Sequence, residues 1–117
     1  MAKRKVSIED GRAALAAARA GERGRIVLAT AVRYLLEELA ERAPGNSVEV
    51  RVPPFGATQC VQGPRHTRGT PPNVIETDPE TWIALATGEL GWETALGEAR
   101  VVASGSRADL HGLLPLA

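Results

Sequence analysis

The sequence is short of cysteine, histidine, aromatic residues and net charge, and each shortage excludes a class of function. A lone cysteine, Cys60, leaves no intrachain disulfide and no multi-cysteine metal site. The two histidines, His66 and His111, are far apart, and neither has a second His or Cys nearby. No metal is therefore expected. Lys and Arg number 14, as do Asp and Glu, so the formal net charge is zero. A general polyanion binder carries excess positive charge, so sequence-independent nucleic-acid binding is not expected. The longest apolar stretch, Ile26 to Leu39, is broken by Thr30, Arg33, Glu37 and Glu38 and is too short and too charged to span a bilayer. The opening Met-Ala-Lys-Arg-Lys looks like a signal n-region, but Glu9, Asp10 and Arg12 follow where an apolar h-region would be needed. With neither a secretion signal nor a disulfide framework, the cytoplasm is the expected location. The catalytic templates fail as well: there is no G-x-S-x-G elbow, no Walker loop and no H-E-x-x-H. No enzymatic activity and no cofactor are expected.

What remains is an ordinary single domain. The 117 residues are 44% hydrophobic and 24% charged. A chain of this length hides roughly two thirds of its unfolded surface and needs no staples. Its aromatic residues are Tyr34, Phe55, Trp82 and Trp92, so aliphatic side chains must fill the core. Arg outnumbers Lys twelve to two and there are 19 Ala, which reads as a compositional bias. Charge is divided unevenly: residues 1–72 hold 12 basic and 7 acidic groups, residues 73–117 hold 2 and 7. Either the halves complement each other within one domain, or a bipolar molecule associates head to tail as a homodimer.

Local patterns divide the chain. Residues 1–6 read as a frayed arm. Ser7 can cap a helix, with Asp10 three residues on, and an Ala-rich run extends to Ala20 before Gly21. Its large apolar groups, Ile8 and Leu15, predict weak packing. From Arg25 to Ala43, Leu28, Val32, Leu35 and Leu39 share one helix face, widened by Val27, Ala31 and Tyr34. Arg33, Glu37, Glu41 and Arg42 lie on the other, and Pro44-Gly45 stops the helix. Val48, Val50 and Val52 alternate with Glu49 and Arg51 as a half-solvated strand. Pro53-Pro54-Phe55-Gly56 turns the chain, and residues 57–62 return antiparallel. Residues 63–72, with two Gly and three Pro, form a stiff loop. A third strand at 73–77 leads to a helix capped by Thr77 or Asp78 with Pro79 in its first turn. A short helix at about 92–98, a strand at 101–104 and a helix-like turn pair at 108–114 complete the order. The fold class is α+β: a small, mostly antiparallel sheet with helices covering one face.

Few side chains suggest chemistry. Cys60 lies in a strand pattern and reads as a small core residue. Arg65, His66 and Arg68 cluster in the Pro-rich loop, either as solvated cations or as a cationic rim for a carboxylate or phosphate. Trp82, Leu85, Leu90, Trp92 and Leu96 gather in two linked short helices, followed by the apolar end Leu110, Leu113, Leu114 and Leu116. Core packing is one use of this cluster; closure over an apolar cavity is another.

The run TDPETWIALATGELGWETALGEARVVASGSRADLHGLLPL resembles the C-terminal half of sterol-carrier-protein-type lipid-binding domains. The likeness rests on Asp78, Trp82, Leu85, Thr87-Gly88, Leu90, Ala95, Val101, Gly105 and Leu110-Leu113-Leu114. The segment from Ala31 to Asp78 is similar to the short bacterial, actinobacterial-type branch, so the resemblance covers roughly residues 25–117. The arm and Ala-rich helix at 1–24 precede it within one domain, 1–117. The resemblance implies a five-stranded, mostly antiparallel sheet with an apolar tunnel between sheet and helices. It also implies binding of a lipid, sterol-like or fatty-acyl molecule without chemistry. Phe55, Val74, Trp82, Leu85, Leu90, Trp92, Leu96, Leu110, Leu113 and Leu114 would line the tunnel, with Arg65, His66 and Arg68 at its rim. Similar domains serve other proteins as accessory or dimerising modules, so a structural role without a free ligand stands as the alternative. One departure is local: many relatives open the last strand with a Gly–basic pair, whereas this chain has Ala99-Arg100.

Overall fold

The computed structural model describes residues 4–63 and 72–116. Ser7 caps α1 (Ile8–Arg19) as its pattern predicts, its hydroxyl oxygen accepting from the Asp10 N–H at 3.1 Å. The helix packs on α2 (Arg25–Arg42) more closely than its few large apolar groups suggest. Ile8 is 48% exposed; contact is made by Leu15, Ala18 and above all Gly11. A Cβ on Gly11 would meet the Tyr34 ring at 2.2 Å, so glycine is what brings the two helices together. The arm ahead of α1 is docked at residues 4–6 rather than frayed. The Lys5 and Val6 N–H groups donate to the Glu37 carboxylate at 2.9 and 3.0 Å. The Arg4 guanidinium pairs with Glu38 and Glu41 and lies 5.5 Å from the centre of the Tyr34 ring.

Helix α2 carries the stripe expected of it, with Val32, Leu35 and Leu39 fully buried. It also buries Ala29, Ala31, Tyr34 and Leu36, because α1, the sheet and a further helix, α3 (Pro79–Thr87), all pack against it.

Four strands form one sheet among the described residues: β1 (Val48–Val52), β2 (Gly56–Cys60), β3 (Asn73–Thr77) and β4 (Val101–Ser104), in the order β2-β1-β3-β4. β1 pairs antiparallel with β2, Val50 opposite Thr58, and β3 antiparallel with β4, Ile75 opposite Ala103. The central pair is parallel, with Val50 opposite Ile75. The sheet is mostly antiparallel as expected, in two of its three pairings, but among the described residues it has four strands where five are expected, and its parallel central pair makes it mixed. The physical reason is topological: the chain reverses twice between β1 and β3, and β3 inserts beside β1 instead of extending from β2. Val48, Val50 and Val52 are fully buried beneath the helices. Glu49 and Arg51 alternate onto the opposite face and pair with each other at 2.6 Å.

The Asp78 carboxylate caps α3, accepting from the Thr81 N–H and hydroxyl, each at 2.8 Å. Gly88, at φ +84°, ends the helix in the left-handed conformation. A short α4 (Trp92–Gly97) leads to β4. The segment after β4, where a helix-like turn pair is expected at 108–114, is built of turns closed by the Ala108 N–H donating to the Gly105 carbonyl at 3.2 Å and the Leu113 N–H to the Leu110 carbonyl at 3.0 Å. It folds back as turns interrupted by Gly112 and Pro115, and the Leu116 N–H donates to the Ala86 carbonyl at 2.7 Å.

Ahead of β4, Ala99 takes φ +57°, the left-handed turn that glycine would make at lower cost. Ala99 is exposed. Replacing it with glycine removes about 1–2 kcal/mol of left-handed strain and returns part of that as unfolded-state entropy. A net gain of about 0.5–1 kcal/mol is expected in urea unfolding; a loss would mean that the Ala99 methyl makes a contact worth more than the strain.

Candidate functional site

The structure gathers most of the expected tunnel residues into the core. Trp82, Leu85 and Leu110 are at most 1% exposed, and the indole Nε1–H of Trp82 donates to the Val32 carbonyl at 3.3 Å. Trp92 and Phe55 are also buried, and Leu90, Leu113 and Leu114 pack against the core half-buried. Two residues stand apart. Val74 alternates with the inward Ile75 and shares the open sheet face with Glu76, while Leu96 on α4 is 38% exposed. Arg65, His66 and Arg68 lie outside the described residues.

A large concavity opens elsewhere. A groove of about 750 Å³ runs between β2 and α2, with the docked arm as its far wall. Its helical side is one stripe of α2: Arg33, Leu36, Glu37, Ala40 and Glu41, at helix spacings of three, four, seven and eight. Facing it are Phe55 and residues 56–59, with Pro44 and Gly45 at one end. Of the ten expected apolar ligand residues, Phe55 alone lines this groove. The sequence reading assigned Arg33, Glu37 and Glu41 to the solvated side of α2. Leu36 and Ala40, which break that polar side, were the missed signal.

The charges around the groove are unequally engaged. Arg4 is committed to Glu38 and Glu41; burial opposes its charged form, but the two carboxylates outweigh it and its pKa is raised. One terminal nitrogen of Arg4, Nη1, is buried without a hydrogen-bond acceptor among the described residues. Glu37 is held by the two arm N–H groups. The Arg33 Nε–H donates to the Phe55 carbonyl at 2.8 Å, and Arg33 makes no ion pair among the described residues. The Arg25 guanidinium lies over the Phe55 ring, 5.8 Å from its centre. A smaller cleft of about 260 Å³ beside α1 and α3 holds Arg19, Arg23, Glu80 and Glu89, whose charges pair with one another.

Among the described residues, no three His, Cys, Asp or Glu side chains converge as a metal site would require, and no helix is long and apolar enough to cross a membrane. Cys60 is fully buried, and desolvation pushes its thiol up to about 11 from 9.0. The neutral thiol is thus favoured in the folded chain. Its contribution is complete below about pH 9 and is lost as pH rises towards 11, where the unfolded chain ionises first. A gap of that size is worth at most about 3 kcal/mol. In urea titrations from about pH 8 to 11, the stability advantage of the wild type over Cys60→Ala is expected to shrink by up to that amount. An advantage constant across the range would mean that the thiol ionises equally in both states.

The motif resemblance to sterol-carrier-protein-type domains covers roughly residues 25–117. No curated protein matches the sequence. Residues 24–116 do match the family model described as bacterial SCP ortholog, which spans most of the chain, from the start of α2 through the turns after β4, and the protein belongs to this bacterial sterol-carrier-protein family.

Proposed function

We propose that the protein is a non-catalytic binding module for a lipid or another hydrophobic ligand, and that the groove between α2 and β2 receives it. The observation that carries this reading is the groove itself. At about 750 Å³ it is within the size range of small-molecule sites. Val6, Leu36, Ala40 and Phe55 supply apolar lining, while Arg33 supplies a cation at the edge. Nothing in the groove forms a nucleophile–base pair, so its chemistry is that of retention.

Ala40 offers a direct test, because it is half-buried in the groove wall on a helix that tolerates larger residues. Ala40→Phe fills the space without removing a core contact. Dodecanoic acid and dodecanol, titrated calorimetrically, are expected to bind the wild type and to lose tenfold or more in affinity to Ala40→Phe, with folding stability nearly unchanged. Undiminished binding to that variant would move the ligand to another site, and no binding of either probe to the wild type would overturn the reading. The alternative, an interaction module, is favoured by one observation: β2 is an edge strand of the sheet and forms a wall of the same groove.

A further inference from the structure

We infer that the groove is also a strand-addition site, taking an extended peptide antiparallel to β2 with its free C-terminal carboxylate at Arg33. This goes beyond retention of an apolar ligand, because an alkyl chain uses none of the backbone groups that β2 offers. Among the described residues β2 pairs with β1 alone, on one side. In an antiparallel pair every second residue turns its N–H and C=O away from the partner strand. No other backbone group among the described residues bonds to Ala57, Thr58 or Gln59. The free edge of β2 thus faces the groove, and five residues of strand give an extended guest a track of about 17 Å. Across from it, the half-buried Ala40 on α2 and Val6 on the arm give side chains of such a guest an apolar wall, with the buried Leu36 behind them.

The charges select both the kind of peptide and its direction. Arg33 stands at the Gly56 end, where a Cβ on Gly56 would come within 3.8 Å of its Cγ. Arg33 is an exposed residue, and its guanidinium pairs with no carboxylate among the described residues while its Nε–H donates to the Phe55 carbonyl. Glu37 and Glu41 lie one and two turns further along α2 and are occupied by the arm. At the opposite end Glu37, Glu38 and Glu41 outnumber the cations of the arm, Arg4 and Lys5, so an anionic chain end is better matched at the Gly56 end. A carboxylate beside the start of β2 sets the peptide antiparallel to that strand.

A synthetic heptapeptide library with randomised side chains, prepared as free acids and as C-terminal amides, tests this by affinity selection on the full chain. Free acids are expected to be retained, and amidation of the selected peptides to weaken binding about tenfold or more. Arg33→Gln, which keeps a donor for the Phe55 carbonyl, should bring free acids down to the level of amides, and Arg33→Lys should restore most of the difference. Methylation of alternate peptide nitrogens should abolish binding, and the Ala57–Gln59 amide resonances should shift on titration. Equal retention of acids and amides, or indifference to Arg33→Gln, would overturn the inference. If dodecanoic acid binds and no peptide does, the groove is an alkyl site only and the inference fails while the functional reading stands; if neither binds, both fail.

Discussion

Trp82→Ala is expected to destabilise the protein by about 3–5 kcal/mol, the range for removing a large buried aromatic side chain. For a chain of this size that lowers the melting temperature by roughly 12–25 °C and consumes a large part of an ordinary domain's stability. The indole, carried by α3, is fully buried against α2, and its Nε1–H is matched to the Val32 carbonyl at 3.3 Å. Truncation removes the packing of the ring and leaves that carbonyl without its side-chain donor. Trp82→Phe should fall between, losing the hydrogen bond and a smaller volume. Thermal unfolding of both variants separates two roles for Trp82. A core residue gives the graded loss just described. A residue lining an open ligand cavity would tolerate alanine with under about 1 kcal/mol of loss, because no close-packed contact would be broken, and would change ligand selectivity instead.

Trp82 also marks where sequence reasoning reaches and where it stops. Signals confined to a few residues were legible: the Ser7 and Asp78 caps, the stripe of Val32, Leu35 and Leu39, and the alternation of Val48, Val50 and Val52 each encode their own geometry. Pairing between distant segments was not. Nothing within residues 73–77 states that they will lie parallel to β1, because that neighbour is decided by the path of the intervening chain. The docking of the arm depended on Glu37, Glu38 and Glu41, which look like an ordinary solvated face until Arg4 and the Lys5 and Val6 N–H groups reach them. The groove was hidden for the same reason: Leu36 and Ala40 are too few to form a second apolar stripe, and β2 closes over them only in the fold. The turns at 108–114 were legible because Gly112 and Pro115 are local signals that keep the surrounding leucines from forming a long helix.

Gly45→Ala is expected to cost about 3–5 kcal/mol, far more than an exposed glycine replacement normally does. Gly45 has φ +148°, and a Cβ there would sit 2.2 Å from the Val61 carbonyl oxygen and 2.3 Å from its carbon. Neither partner can move away. The Val61 N–H donates to the Ala43 carbonyl at 2.7 Å, and the Val61 carbonyl accepts from the Ser47 N–H at 3.1 Å and hydroxyl at 2.7 Å. Val61 is itself held at φ +64°, an uncommon conformation for a β-branched residue. The loop after α2 and the end of β2 are therefore clasped backbone to backbone beside the groove. Gly21 provides the control: it has φ +107° with nothing within 4 Å of an added Cβ, so Gly21→Ala should carry only the conformational strain, about 1–2 kcal/mol. Adding Val61→Gly to Gly45→Ala should not rescue stability, because the collision is with the carbonyl and not the side chain. Urea unfolding of the three variants decides the matter. Equal losses for Gly45→Ala and Gly21→Ala would show that the clasp yields easily, and rescue by Val61→Gly would place the strain in the valine side chain.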